Sequence, residues 1–258
     1  MSHSGILLLD KPIGITSRDA VNRVQRLVRP ERAGHAGTLD PLASGLLVTC
    51  IGSSTRLIEY IQRYEKSYTA VFQFGLHSDT EDTDGEVVAL DHPPFPAIDA
   101  IRDAAAALTG RIMQRPPAYS ALKVKGRRAY DLARAGHEFE LEPRPVDIYS
   151  FDILRYEYPE VEVAIRCGSG TYIRSLGRDL ARSLGTEAVM SRLVRTAIGP
   201  YLLENAVAPD SLTDDNWSDR LLPMATAMGT LPLVCVEEST IARLANGMTI
   251  PADLLSDD

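Results

Sequence analysis

Residues 34–47 read GHAGTLDPLASGLL. A single carboxylate, Asp40, stands among glycines in this stretch, and His35 precedes it by five residues. Glycine adopts backbone angles closed to other residues and lets a ligand approach the chain, while Pro41 stiffens the segment directly after the acid. The same residue types also build ordinary turns between a helix and a strand. The stretch therefore predicts either a plain turn or a loop that displays one carboxylate to a ligand.

The length and composition indicate an ordinary globular chain. Its 258 residues suit one large domain, or one domain with an appendage. No apolar run approaches the ~20 residues of a membrane span, and the N-terminus lacks the basic region of a signal peptide. Cys50, Cys167 and Cys235 are too widely separated for a zinc motif or a disulfide framework. We therefore expect a cytoplasmic protein with no membrane contact.

The net charge of −8 is unevenly distributed along the chain. Residues 1–70 and 111–145 carry net charges of +3 and +4, whereas residues 71–110 and 201–258 carry −7 and −8. Contact with phosphates depends on local positive potential rather than on the total charge. The two basic segments are compatible with RNA binding, but a solvated surface of mixed charge would have the same composition.

The hydrophobic periodicity alternates irregularly between strands and helices. We expect strands at 6–9, 46–51, 66–75, 86–90, 146–158, 161–167 and 233–236. We expect helices at 17–28, from about 53 to 61, at 98–109, at 129–135, after the GSGT of 168–171, and at 241–245. Hairpin-like pairs favour an α+β fold with a mixed, mainly antiparallel sheet flanked by helices. Neither GxGxxG nor a Walker loop occurs, so no nucleotide cofactor is predicted.

The acidic stretch TEDTDG at 80–85 invites comparison with a calcium loop. An EF-hand needs a carboxylate at its first position and glutamate at its twelfth, and here those positions hold Thr80 and Asp91. The stretch therefore predicts a tight turn, and no metal site is expected.

Four further segments accompany the aspartate stretch in a fixed order. They read GILLLDKP at 5–12, KSY at 66–68, YSALK at 119–123 and GSGTYIRSL at 168–176. Together they resemble the TruB-type tRNA pseudouridine synthases over about residues 4–200. The resemblance implies a pseudouridine synthase fold in a catalytic domain at 1–200, with a basic RNA-gripping insertion at 111–145. The acidic segment at 201–258 resembles the opening of a PUA-type domain cut short.

The resemblance also implies the chemistry. These enzymes break the C1′–N1 bond of a T-loop uridine, turn the uracil and rebuild the link through C5. This isomerisation needs no redox partner, ATP or metal, so no cofactor is expected. Asp40 would be the nucleophile, at either C1′ or C6. Tyr68 would stack on the uracil and assist proton removal, and Arg174 would pair with Asp40 and orient it.

Other residues would hold the RNA. By the same resemblance, His35 would stack into the space left when the target base flips, at a cost of a few kcal/mol to the RNA. Leu193 would form an apolar wall of the uracil pocket, and Arg56 would contact a phosphate. The remaining candidate RNA contacts are Tyr119, Lys123, Lys125, Arg127, Arg128 and Tyr172. The expected partner is the T-arm stem-loop of tRNA, bound by a monomer with no obligate protein partner.

Three other functions compete with this interpretation. A guide-RNA-dependent relative of the dyskerin type shares the aspartate motif but works inside a ribonucleoprotein. A non-catalytic RNA-binding or tRNA-folding module would need no nucleophile. A glycosidase for small molecules would pair its carboxylate nucleophile with a second carboxyl in a similar setting, and the sequence shows no obvious candidate.

Overall fold

The computed structural model describes residues 3–120, 122–124, 127–128, 141–229, 231 and 234–249. The strands of this part are β1 Gly5–Lys11, β2 Ala33–His35, β3 Ser44–Ile51, β4 Lys66–Phe74, β5 Leu76–His77, β6 Val88–Ala89, β7 Gly110–Gln114, β8 Lys123–Val124, β9 Arg127–Arg128, β10 Arg144–Glu157, β11 Glu160–Cys167, β12 Ala188–Ile198 and β13 Tyr201–Leu202. A central sheet runs β1-β3-β12-β4-β11-β10-β7, with β2 beside β3 and β13 beside β12. Its pairs are antiparallel except β3 with β12, which confirms the mixed, mainly antiparallel α+β fold.

Helices cover both sides of this sheet. They are α1 Ser17–Leu27, α2 Ile58–Arg63, α3 Ile98–Ala107 and α4 Ile173–Ser183. A fifth helix, α5 Glu238–Ala245, is largely exposed. Thr16 caps α1, because its hydroxyl accepts from the Asp19 amide while the Asp19 carboxylate accepts from the Thr16 amide. Across the described ranges, none of the helices combines the length and apolar character that a membrane crossing requires.

The largest core lies between the sheet and helices α3 and α4. The alternation of β4 directs Ala70, Phe72 and Phe74 into this core, where all three are buried. Helix α4 approaches the sheet closely because Gly177 leaves room for the ring of Phe72. This close packing fixes the position of α4, whose first turn forms part of the site described below.

Strands β1 and β3 are buried on both faces, which explains their unbroken apolar runs. On one face, Leu7, Leu9 and Leu47 pack against α1. On the other face, the core includes Ile61 of α2 and Ala227 of the C-terminal part. The aspartate stretch enters β3 directly, so this double burial anchors its C-terminal end.

Part of the acidic C-terminal segment packs onto β1. The amides of Ile6 and Leu222 each donate to the other residue's carbonyl, at 2.9 and 2.8 Å. The amide of Val207 donates to Leu8 at 3.0 Å, and Trp217 is buried in the α1 core. These contacts join parts of residues 207–222 to the central sheet and the α1 core, while the division at residue 200 stays a prediction.

Several elements of the structure differ from those predicted from the sequence. Strand β12 was not predicted because Ser191, Arg192 and Arg195 interrupt its apolar pattern, yet it lies in the middle of the sheet. Strands β2 and β7, which are short, were also missed. The predicted helix near 53 starts as a 3₁₀ turn, Gly52–Leu57, before α2. The predicted strand at 233–236 is wrong for 234–236, and the helix predicted at 129–135 lies outside the described residues.

Candidate active site

Asp40, in the loop between β2 and β3, forms an ion pair with Arg174. Arg174 Nη2 lies 3.0 Å from Asp40 Oδ2, and the Asp40 side chain stays 41% exposed whereas that of Arg174 is 7% exposed. Arg174 is the second residue of α4, so the pair lies at a helix N-terminus, which favours an anion. The site therefore contains an accessible carboxylate that is paired with a buried cation.

Further contacts fix the Arg174 guanidinium in place. Nη1 donates to the Thr80 carbonyl at 2.6 Å and lies 3.2 Å from Asp82 Oδ2, and Nη2 donates to the Tyr119 carbonyl at 3.1 Å. Burial raises the pKa of Asp82, while the Thr80 hydroxyl and Arg174 act in the opposite direction. Since Asp82 binds the nitrogen that does not face Asp40, it prevents the guanidinium from rotating. For the loop that contains Asp82, the sequence predicts only a turn.

Arg195 holds the other side of the aspartate loop. This fully buried β12 residue donates from Nε to the Leu46 carbonyl at 2.8 Å and from Nη2 to the Gly37 carbonyl at 3.1 Å. Its acceptors thus lie before and after Asp40 in the chain, so one planar side chain spans the loop. Arg195 was not predicted as a site residue because its strand, β12, is not evident in the sequence.

Tyr68 lies beside Arg195 in the sheet. The two residues are register partners on β4 and β12. Burial raises the pKa of Tyr68, and the charge of Arg195 opposes this shift without reversing it. Tyr68 is therefore a neutral phenol at neutral pH, a state suited to stacking on a base.

Lys11 anchors the turn between β1 and α1. Its fully buried ammonium donates to the carbonyls of Ile15 at 2.7 Å and Pro12 at 2.9 Å. Burial lowers the pKa of Lys11 to about 8, and the charge of Asp40 partly opposes this shift. The same turn is tied to the aspartate loop, because the Gly14 amide donates to the Pro41 carbonyl at 2.8 Å.

His35 and Leu193 lie on the two strands that border the loop. His35 is half-buried on β2 opposite Thr49, and its Nδ1 is buried with no hydrogen-bond partner among the described residues. Burial lowers the pKa of His35, so the imidazole is neutral near neutral pH. Leu193 is buried on β12 opposite Ala70, in the same core as Leu39 of the aspartate loop.

Within the described ranges, no cluster of three or more His, Cys, Asp or Glu side chains has a metal-binding arrangement. The acidic loop instead directs its carboxylates to arginines, since Asp82 contacts Arg174 and Glu81 contacts Arg178.

The chain is similar in sequence to proteins of one known family. The family model for the TruB family pseudouridylate synthase (N terminal domain) matches residues 25–173. A tRNA pseudouridine synthase B of Dehalococcoides mccartyi is 43% identical over 253 residues, which cover 96% of this chain and 84% of that protein. The enzyme of the same name from Syntrophobacter fumaroxidans is 41% identical, covering 95% and 81%.

The chain belongs to the TruB family. It is thus an isomerase of the pseudouridine synthase class, as the sequence motifs predicted. Its fold resembles a chain of the Cbf5-Nop10-Gar1 complex, with a TM-score of 0.73, 27% identity, and coverage of 94% of this chain and 67% of that one. A chain of an H/ACA RNP bound to a substrate RNA containing 2′-deoxyuridine gives a TM-score of 0.71 at 25% identity, covering 95% and 67%.

Three further residues of this TruB-family protein that the sequence predicts to contact RNA differ in their exposure and in their contacts. Tyr119 is half-buried and supplies the carbonyl that Arg174 binds. Tyr172 is the N-cap residue of α4, and the Arg144 guanidinium lies 5.3 Å from its ring centroid. Arg56 is exposed in the 3₁₀ turn after β3.

The basic arm is described only in part. Lys123 and Arg128 are backbone partners in the two-stranded β8–β9 ladder. The side chains of this ladder lie outside the described part of the chain, and Lys125 lies outside it altogether. The assignment of RNA contacts to Lys123, Lys125, Arg127 and Arg128 stays a prediction.

Proposed function

We propose that this chain isomerises the T-loop uridine of tRNA to pseudouridine, with Asp40 as the nucleophile. The observation that carries the proposal is a half-exposed carboxylate whose partner, Arg174, is itself buried and locked by Asp82. Curated relatives that share 38–43% identity with the chain are named tRNA pseudouridine synthase B. That name supports tRNA as the substrate.

The reaction balances without any co-reactant. Asp40 adds to C1′ or to C6, the C1′–N1 bond breaks, and its electron pair stays on the uracil. The uracil turns, C5 bonds to C1′, the proton on C5 is lost, and N1 ends protonated, so product and substrate are isomers. Departure of the Asp40 oxygen restores the carboxylate. No water, electron or phosphate is consumed, which agrees with a single displayed carboxylate rather than the carboxyl pair of a glycosidase.

The surrounding residues bind the flipped nucleotide. Tyr68, as a neutral phenol, stacks on the uracil, and Leu193 closes the pocket on its apolar side. His35, neutral at its half-buried position, fills the gap left in the loop and offsets part of the cost of extracting the base. Arg56, Tyr172, Tyr119 and the basic arm bind the T-arm backbone.

We further propose a stand-alone monomer with a catalytic domain at 1–200 that works in the cytoplasm, where Cys50 and Cys167 stay reduced and buried. The guide-RNA-dependent alternative is not favoured, because the identity to the curated tRNA enzymes exceeds the 25–27% identity to the Cbf5 and H/ACA chains. A tRNA-folding contribution alongside catalysis is compatible with the same binding surface.

The deciding experiment incubates the purified chain alone with an unmodified tRNA transcript and with a bare T-arm hairpin, then maps pseudouridine. We expect the T-loop uridine to be converted in both RNAs. Conversion only after a guide RNA and protein partners are added would transfer the chain to the dyskerin type, and release of free uracil would indicate a glycosidase. Chelators should leave the turnover of a prefolded hairpin unchanged.

Asp40→Asn tests the nucleophile within the same assay. This variant should bind the hairpin but form no product, whereas Asp103→Asn, which removes an exposed carboxylate from α3, should react like the wild type. Turnover of Asp40→Asn within about tenfold of wild type would refute the assignment, since loss of a nucleophile costs several orders of magnitude.

A further inference from the structure

Glu81 has an unusual position in the acidic loop. Its backbone φ is +62°, a left-handed angle that residues other than glycine seldom adopt. Its nearly buried carboxylate accepts from the Ser175 hydroxyl at 2.7 Å and forms an ion pair with Nη1 of the buried Arg178. A residue keeps such an angle only where its surroundings hold it, and such residues cluster at functional sites.

The neighbours of Glu81 on both sides contact the arginine of the active site. The Thr80 carbonyl and the Asp82 carboxylate both bind Arg174 Nη1. Arg174 and Arg178 are four residues apart on α4, so they lie one turn apart on the same face. The three consecutive loop residues 80–82 thus contact two consecutive turns of α4, and Glu81 is the central one of the three.

The loop is also tied to the centre of the sheet. The Met190 amide of β12 donates to the Glu81 carbonyl at 3.0 Å, and the Thr83 amide donates to the Met190 carbonyl at 3.1 Å. The loop backbone is therefore fixed to β12 while the Glu81 side chain fixes it to α4. Loss of the Glu81 side-chain contact would remove one of the links between the loop and α4, so that the position of Asp82 would depend on the strand bonds, on the bonds within the loop and on its contacts with Arg174.

Arg178 has a second group of partners. Its Nη2 donates to the Arg115 carbonyl at 2.8 Å, and its Nε donates to Asp179. Burial lowers the pKa of Arg178, but the carboxylates of Glu81 and Asp179 raise it by more. Arg115 begins the segment that reaches Tyr119, whose carbonyl binds Arg174. A change at Arg178 would therefore disturb the root of the basic arm, whereas a change at Glu81 would leave that contact in place.

We propose that Glu81 and Arg178 are positioning residues for the isomerisation. Their buried ion pair sets the position of the Thr80 carbonyl and of Asp82, and through them the direction in which Arg174 presents its other nitrogen to Asp40. The claim rests on the proposed function and adds residues to it, since neither side chain contacts Asp40.

The test measures single-turnover rates with the enzyme in saturating excess over a T-arm hairpin, so that an inactive fraction does not alter the rate constant. Glu81→Gly keeps the left-handed angle and removes the carboxylate, and Glu81→Gln keeps the shape and removes the charge. Both should slow the reaction about tenfold to a hundredfold, the range that a small misplacement of a catalytic group costs, with hairpin affinity nearly unchanged. Arg178→Lys should slow the reaction and also weaken binding.

Two controls make the result specific. Arg182→Gln removes the next arginine along α4, which is half-exposed and paired with Glu187, and should react like the wild type. The double variant Glu81→Gln/Asp82→Asn should lose less than the product of the two single losses, because both changes act on the Arg174 guanidinium, Asp82→Asn directly and Glu81→Gln through the position of the loop. Losses that multiply fully would overturn the route through Asp82.

The remaining outcomes separate this proposal from the proposed function. Glu81 variants with near-normal rates, or with weakened binding alone, would overturn the positioning role while wild-type activity upheld the function. A wild type without activity would overturn the function instead. In either case a crystal structure of Glu81→Gly is informative, because an unchanged 3.0 Å contact between Arg174 and Asp40 would exclude the positioning role.

Discussion

Arg195 and Gly45 face each other across the parallel pair of β12 and β3. A Cβ at position 45 would lie 2.5 Å from the Arg195 carbonyl oxygen, and Gly45 has φ of +97°. The absence of a side chain at Gly45 therefore lets β12 come close enough for Arg195 to reach the carbonyls of the aspartate loop. Gly45, the last glycine of the aspartate stretch, is therefore required by the neighbouring strand β12.

Gly45→Ala should destabilise the fold strongly. Gly110 supplies a matched control, because it has φ of +99° and a Cβ added there would meet no heavy atom of the described chain within 4 Å. Both alanines incur the backbone strain, and only that at position 45 meets Arg195. We expect urea unfolding to show an additional loss of about 1–3 kcal/mol for Gly45→Ala, the usual cost of overpacking. Equal losses at the two positions would contradict the steric explanation.

Arg195→Lys should slow isomerisation by at least about tenfold and destabilise the protein. A lysine cannot reproduce the planar fork that joins the Leu46 and Gly37 carbonyls, and each buried carbonyl left unpaired costs about 1–3 kcal/mol. Arg192→Lys, on the same strand but half-exposed and paired with Glu162, should change neither quantity by much. Single-turnover rates and urea unfolding of both variants test this, and equal behaviour of the two would remove Arg195 from the loop's support.

Lys11 should make stability depend on pH in the alkaline range. Its pKa is about 8 in the folded protein, whereas the ordinary pKa of a lysine is 10.5, so between these values the unfolded chain binds more protons. The free energy of unfolding should therefore rise with pH across this window. The free energy of unfolding of the wild type minus that of Lys11→Met, both measured by urea unfolding, should increase from pH 8 towards 10.5 and be smallest below pH 8. A flat or falling difference would contradict the shifted pKa.

Neutralising the basic arm should weaken RNA binding and flatten its salt dependence. Each phosphate contact contributes a slope of about 0.7–0.9 in log affinity against log salt, so losing several contacts is measurable. The variant replaces these four side chains with glutamine or methionine: Lys123, Lys125, Arg127 and Arg128. Hairpin titrations at several salt concentrations give the slope, and an unchanged slope would place the arm outside the interface.

The matched control removes the same total charge elsewhere. Four exposed arginines, each in an ion pair with a neighbouring carboxylate, are suitable: Arg63, Arg102, Arg155 and Arg166. We expect this variant to keep most of the wild-type slope. A similar loss in both variants would show that net charge, rather than the arm, governs binding.

Local patterns determined much of the fold. The apolar spacing and capping residues of α1, the alternation of β4 and the long β10–β11 hairpin are all present. Each of these elements is set by contacts within a few residues or by one consistent buried face, which a sequence displays directly. The α+β class and the family could be predicted for that reason, as could the pairing of Asp40 with Arg174, which the motifs implied.

The tertiary structure alone decided what holds that pair in place. Arg195 comes from a strand that charged residues disguise, Asp82 and Glu81 come from a loop with the composition of a turn, and Arg178 resembles any helix-surface cation in sequence. Their roles arise from contacts between residues up to 158 positions apart. A buried charge is tolerated only where hydrogen-bonding or oppositely charged groups surround it, and for these residues such groups come from distant segments, which no local pattern reveals.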